Sequence, residues 1–269
     1  MQPNVNNRYS MLVEHIFSNR YKAGLEVVPF SREDLIDAAQ LLDIEVPRNL
    51  GDVLYSFRFR TTLPEAIIST APSGYEWVIS GTGRGLYAFT LASASRILPN
   101  ASLLAVKIPD ATPQIISRYA ASDEQALLAR LRYNRLIDIF LSLTAYSLQN
   151  HLRTTVSGIG QIEIDELYVG LNHSGAHFII PVQAKGGTDQ IGVVQTQQDL
   201  AFCADKFPDL IPRAVSAQFL SHDTIAMFEV VVIENSVKAV SERHFQLVPA
   251  EQITEAELAM YRTQAGSAR

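Results

Sequence analysis

QIEIDELYVGLNHSGAHFIIPVQAKGGTDQIGVVQTQQD, residues 161–199, is the stretch that decides the fold of this chain. Residues 161–171 are rich in Ile, Leu, Val and Tyr, the composition of a β-strand. Asn172-His173-Ser174-Gly175 is a turn signal, and residues 176–185 form a second β-rich run. The pattern predicts a β-hairpin, then a glycine-punctuated loop, then a helix over residues 190–207. Side chains alternate faces along a strand. Glu163 and Asp165 are therefore expected to share one face of the first strand, and Gln183 and Lys185 one face of the second. The hairpin brings acid, amide and lysine together at neighbouring strand positions. Burying such groups costs free energy unless they are paired, so their grouping reads as a metal site rather than as core.

Those residues carry a family resemblance. A strand bearing an acid, a hairpin, and a hydrophobic strand ending in acid-x-Lys is the pattern of the PD-(D/E)XK nuclease superfamily, which includes the type II restriction endonucleases. The chain resembles it through Ile164-Asp165 for the first half-motif and Gln183-Ala184-Lys185 for the second. By order of elements the resemblance spans residues 125–235. It departs in two places: no Pro precedes Asp165, and Gln183 replaces the expected Glu or Asp, which removes one anionic metal ligand.

The resemblance implies magnesium-dependent cleavage of double-stranded DNA at a specific site, with Mn2+ as a substitute for Mg2+. It also implies a homodimer, so that one site per chain cuts both strands, and a companion DNA methyltransferase. Phosphodiester hydrolysis needs a cation to offset charge on the phosphate and to acidify the attacking water. Magnesium takes hard oxygen ligands and keeps several waters. On this reading Asp165 is the leading metal ligand, completed by the Gln183 amide oxygen and the Ala184 carbonyl, with Glu163 assisting. Lys185 orients or deprotonates water and stabilises developing negative charge, and Gln195 positions water or phosphate.

At 269 residues the chain is long enough for one large or two modest domains. Its 47% hydrophobic and 19% charged residues are those of an ordinary globular protein. A single cysteine, Cys203, allows no internal disulfide and fits a reducing compartment. No apolar run approaches the ~20 residues of a membrane span, and MQPNVNNRYS lacks the basic and apolar segments of a signal peptide. The expectation is a soluble, cytoplasmic protein with no membrane partner. A net charge of −6 argues against indiscriminate polyanion binding. A site-specific DNA enzyme can still confine its basic residues to one cleft: between residues 84 and 118, Arg84, Arg96, Lys107 and Arg118 face only Asp110.

Along the chain, residues 6–22 read as a helix with Tyr9, Leu12 and Ile16 on one face. Ser31, with Asp34 three residues on, opens a second helix striped by Leu35, Ala38, Ala39 and Leu42. After a turn at Pro47, Asn49 caps a third helix with Val53, Leu54 and Phe57 inward and Arg58 and Arg60 near its end. Residues 75–79 and 86–91 are strand-like around Ser80-Gly81-Thr82-Gly83-Arg84-Gly85, which makes a hairpin with Arg84 at its tip. A phosphate-binding loop would need a following helix and a Lys-Ser or Lys-Thr pair, and this stretch has neither. Three short helices and a hairpin suggest a winged helix-like DNA-recognition domain over residues 1–112, with Arg58, Arg60 and Arg84 as its DNA contacts.

A strand over residues 103–108 leads to an expected boundary at 109–113. Ser122 opens a long helix running to about residue 149, with Leu127, Leu131, Leu136, Ile139, Leu143 and Tyr146 core-like. Strands over 217–220 and 225–234 and a peripheral helix over 254–262 complete the nuclease domain, residues 113–269. The expected fold is α/β: a winged helix-like module followed by a restriction-endonuclease-like mixed-sheet core with flanking helices.

Each residue also has a plainer reading. A lone strand Asp is usually a solvated edge, a strand-terminal Lys usually a surface residue that snorkels, and Arg58, Arg60 and Arg84 could be solvated ends. The joint pattern favours a site. Other chemistries fit less well. The six histidines show no zinc spacing with a cysteine pair. Ser221-His222-Asp223 is contiguous, so its side chains diverge, and Cys203 sits among apolar neighbours. Two other readings stay open: a DNA-binding regulator or recognition subunit with an inactive nuclease-like domain, and a nuclease acting on RNA, branched or single-stranded DNA.

Overall fold

The computed structural model describes residues 5–47, 49–59, 61–93, 97–119, 124–185, 193–233 and 236–267. They form a mixed α/β structure with two sheets, each backed by its own core. The first sheet belongs to α1 (Val5–Arg20), β1 (Val27–Ser31), α2 (Arg32–Leu41), α3 (Leu50–Phe59), α4 (Glu65–Ile68), β2 (Tyr75–Gly83) and β3 (Leu86–Ser93). Its order is β1-β3-β2, antiparallel throughout.

Local chemistry accounts for these elements. Ser31 and Asp34 close a capping box at the start of α2, Ser31 N donating to Asp34 Oδ2 at 2.7 Å. Arg20 from α1 bonds the same carboxylate at 2.5 Å, tying two helices together. Leu12, Ile16, Leu35, Val53, Leu54 and Phe57 bury one stripe of each helix against Trp77 and Phe89 of the sheet. The expected hairpin is there, longer than its sequence signal, with its turn at Arg84-Gly85. β1 is an addition. VVPFS contains Pro29, but among the described residues β1 pairs with β3 alone, and an edge strand tolerates a residue that cannot donate.

The second sheet follows from β4 (Val106–Pro109), α5 (Gln114–Tyr119), α6 (Glu124–Tyr133), α7 (Leu136–Leu141), β5 (Thr144–Val156), β6 (Gly160–Leu171), β7 (His177–Lys185), α8 (Val193–Lys206), β8 (Ile211–Pro212), β9 (Ala214–Phe219), β10 (Thr224–Ile233), β11 (Ser236–Val248) and α9 (Glu255–Ser267). Its order is β4-β11-β10-β9-β7-β6-β5, with β8 on β7. Most neighbours are antiparallel, but β7 runs parallel to β9 and β4 parallel to β11. A parallel pair needs a crossover, and α8 supplies it between β7 and β9. One face of the sheet buries Phe178, Ile180, Val182 and Ala184 against Leu127, Leu131 and Leu136 of α6 and α7. On the other face Ile162, Ile164, Leu167 and Ile179 pack on Phe202 and Cys203 of α8.

Two expectations are corrected. The helix expected over residues 122–149 is two short helices and the start of a strand. Arg135 and Ser142, both left-handed at φ 51 and φ 54, bound α7, and from Thr144 the chain pairs with β6. Ile139 and Tyr146, expected inward, are exposed. The pull of a neighbouring strand outweighs a periodicity that suits a helix. The segment 109–113 is tied to the second sheet and its helices: Asp110 N bonds Val248 O at 2.8 Å and Ala111 N bonds Asn134 Oδ1 at 2.7 Å. The chain passes from one sheet to the other between Ser93 and Val106. Second, β11 is a long strand where no element is expected. Ser122 lies outside the described residues.

The two sheets meet where β2 approaches the β5–β6 turn. A Cβ on Gly81 would stand 2.1 Å from the Ile159 carbonyl oxygen. That atom is backbone and cannot swing aside, so only glycine fits. Gly81→Ala is expected to destabilise the protein by about 1–3 kcal/mol, measured as a lower urea midpoint with unchanged slope.

Candidate functional site

Strand alternation places the site. The even residues of β7 face α6 and α7, so Gln183 and Lys185 face α8. The β6–β7 ladder ends at the pair Glu166↔Val182. Beyond it β7 keeps only its parallel partner, with Gln183↔Ser216 and Lys185↔Gln218. Ala184 N thus loses the acceptor that a longer β6 ladder would have supplied. Asp165 Oδ2 takes the proton instead, at 2.8 Å, with Asp165 only 8% exposed. A buried donor without an acceptor would be costly, so this side chain replaces a ladder bond where the strands part.

β6 is itself irregular there. Ile162 and Ile164 lie on the α8 face together with Leu167, so alternation slips between Ile164 and Leu167. Across the strand pair, His151 has φ 46, and Asp165 is absent from the β5–β6 register. Glu163 and Asp165 therefore do not share partners as expected. The Glu163 carboxylate meets Arg153 at 3.1 Å and His151 at 3.7 Å on β5. Its backbone oxygen lies 3.4 Å from Gln183 Nε2, and its charge also raises the Asp165 carboxyl.

A continuous chain of hydrogen bonds links the remaining residues. Lys185 Nζ donates to Gln195 Oε1 at 2.7 Å, Gln195 Nε2 to Gln183 Oε1 at 2.5 Å, and Gln183 Nε2 to Asp199 Oδ2 at 2.7 Å. Asp199 is the residue that sequence reasoning missed. It is 2% exposed and stands one turn beyond Gln195 on α8. The signal was available: Phe202 and Cys203 mark the buried stripe of this helix, and residues 195 and 199 continue it at helical spacing. A cavity of about 10 Å³ opens among Gln183, Lys185, Gln195, Asp199 and Ser216. Among the described residues, Asp199 Oδ1 and Ser216 Oγ are buried without a hydrogen-bond partner.

Electrostatics follow from burial. Burial pushes the Asp165 carboxyl above the ordinary range, opposed by the Lys185 charge and the Ala184 N–H. Asp199 is pushed well above it, again by burial first, with the Gln183 bond opposing and the Asp165 charge adding. Cys203 behaves as core, its thiol raised to about 12 by burial.

Asp165, Gln183, Ala184, Lys185 and Gln195 come together as expected, and Glu163 turns away. Glu166, next to Asp165, is fully buried on the opposite face, bonded to Arg132 at 2.9 Å and Ser147 at 2.6 Å. Arg84 is exposed at the hairpin tip. Arg58 is half-buried, and burial pulls its guanidinium below the ordinary range, so it is not the solvated helix end of the plainer reading. Arg60 lies outside the described residues.

The donor set bears on the metal. Among the described residues no three His, Cys, Asp or Glu side chains converge, so the site does not resemble a closed zinc set. It offers the Asp165 carboxylate, the Ala184 carbonyl and the Gln183 amide oxygen, all hard oxygens. That fits a magnesium ion which keeps most of its water, provided Gln183 Oε1 releases Gln195. Also among the described residues, no helix is long and apolar enough to cross a membrane. No protein-family model and no curated protein sequence matches the chain.

The raised Asp199 value sets a pH test. The folded chain holds that proton more tightly than the unfolded chain, so the group stabilises at acid pH and this stability falls as pH rises toward the raised value. Asp199→Asn removes the titration. In metal-free buffer the Tm of wild type relative to Asp199→Asn is expected to fall as pH rises above the ordinary carboxylate range. A difference that holds constant or widens would mean that the carboxyl is ionised throughout.

Proposed function

We propose that this chain is a magnesium-dependent endonuclease that cleaves double-stranded DNA at a specific site, with a PD-(D/E)XK-like domain and a winged helix-like reading module. The observation that carries the reading is the convergence of Asp165, Gln183, Lys185 and Gln195 where β6 parts from β7. A leading helix pair, a hairpin and a polar helix crossing to a parallel strand agree with it, as do α1 to α4 followed by the β2–β3 hairpin in the first unit. A homodimer and a companion methyltransferase belong to the same proposal.

Asp165 and the Ala184 carbonyl would hold magnesium, joined by Gln183 as its amide turns. A bound magnesium would supply charge neutralisation at the phosphate and a more acidic water. Lys185 is the cationic donor beside Asp165. Its ammonium can hold a phosphate oxygen or orient the attacking water, and Gln195 fixes its direction. The lysine comes from the end of a buried strand, and its bond to Gln195 sets its direction before charge develops.

Incubation with unmethylated phage DNA tests this. Discrete fragments that require magnesium are expected, and Lys185→Ala is expected to slow cleavage by about 10²–10⁴-fold. Intact DNA under every metal tried would overturn the reading.

One observation favours the second reading, a DNA-binding regulator with an inactive nuclease-like domain. Both ends of the Gln183 amide are already bonded, to Gln195 and to Asp199. Gln183→Glu would set two carboxyls against each other unless a cation lies between them. If the site accepts magnesium, this variant should gain more Tm on magnesium addition than wild type does. Equal shifts, with DNA binding still seen by gel shift and no cleavage, favour the regulator.

A further inference from the structure

The bond chain has a direction that only one end can impose. Lysine has three donors and no acceptor, so the Gln195 atom facing it must be Oε1. Gln195 Nε2 then faces Gln183 Oε1, and, besides the Glu163 carbonyl at 3.4 Å, Gln183 Nε2 finds a nearer acceptor on α8. Asp199 Oδ2 is that acceptor, and a carboxyl oxygen accepts in either protonation state. The far end is fixed by its surroundings: Asp199 is 2% exposed, backed by Cys203 one turn on and facing Ser216 across the cavity. The near end is freer, since Lys185 and Gln195 are each half-buried.

We propose that Asp199 is a positioning residue, which anchors the Gln183–Gln195 amide chain and thereby holds the Lys185 ammonium in one direction beside Asp165. Its role in catalysis rests on the nuclease reading above; its effect on Lys185 does not. The function needed at residue 199 is a fixed acceptor, not a negative charge. Asparagine therefore meets the requirement through its own oxygen, and leucine, of similar bulk, does not.

Two readouts on the full chain separate the possibilities. The ammonium proton–nitrogen correlation of Lys185, assigned by its loss in Lys185→Ala, is visible only while the group is held against solvent exchange. It is measured in metal-free protein. In wild type and Asp199→Asn the signal is expected; in Asp199→Leu it is expected to vanish. With phage DNA and magnesium, Asp199→Asn should keep kcat within about threefold, while Asp199→Leu should lower kcat by about 10²-fold with KM little changed. If circular dichroism shows that Asp199→Leu does not fold, Asp199→Ser, too short to reach Gln183, replaces it. Retention of the Lys185 signal and of kcat in the leucine or serine variant overturns the proposal. So does a large loss of kcat in Asp199→Asn while its Lys185 signal persists, because the carboxylate charge would then be what acts. A wild type that cuts no DNA defeats the nuclease reading alone and leaves the ammonium readout to decide the anchor.

Discussion

Val182 is where β7 changes company. Up to that residue the strand is antiparallel to β6, and from it onward it is parallel to β9. Two requirements meet there. The parallel pair demands a crossover, which lays α8 over the odd face of β7. The lost β6 partner demands a new acceptor for the Ala184 N–H, and Asp165 provides it. Polar side chains thus collect at this point because backbone hydrogen bonding leaves room for them there.

The polar network is held by apolar surroundings. Even-numbered residues of β7 pack on α6 and α7, and Ile162, Ile164 and Phe202 close the α8 side. In so dry a setting each unpaired polar atom would be costly, and each paired one is directional. That directionality distinguishes this site from a cluster of solvated charges. It also explains why a glutamine occupies residue 183. Between the lysine-bound Gln195 and a buried Asp199, the side chain must accept at one end and donate at the other. An amide does both, whereas an ionised carboxylate accepts only.

The first unit meets this framework through a close backbone approach. Gly81 of the hairpin lies against the Ile159 carbonyl in the turn that begins β6. The strand that carries Asp165 therefore starts at the contact with the module that carries Arg84. Many cations are occupied elsewhere: Arg20 with Asp34, Arg132 with Glu166, Arg153 with Glu163 and Arg213 with Glu229. Such pairs fit a chain whose net charge is −6.

Sequence by itself determined the features that depend on neighbours in the chain. The α2 cap, both hairpins, the buried stripes of α1 to α3 and the faces of β7 were legible because turn chemistry and periodicity of two or 3.6 residues are local properties. So was the grouping of Asp165, Gln183 and Lys185, which a hairpin must bring together. Tertiary structure decided the rest. The helix expected over residues 122–149 gave way to β5 because β6 offered a full ladder of partners, and β1 and β11 formed for the same reason despite weak local signals. Glu163 left the site because β6 slips its alternation where His151 turns left-handed, and Arg153 lies across the strand to receive it. Asp199 entered because the β7–β9 crossover sets α8 over the amide of Gln183. No spacing along the chain encodes which residue of another element will meet a buried hydrogen-bonding group; that depends on how the sheet is closed.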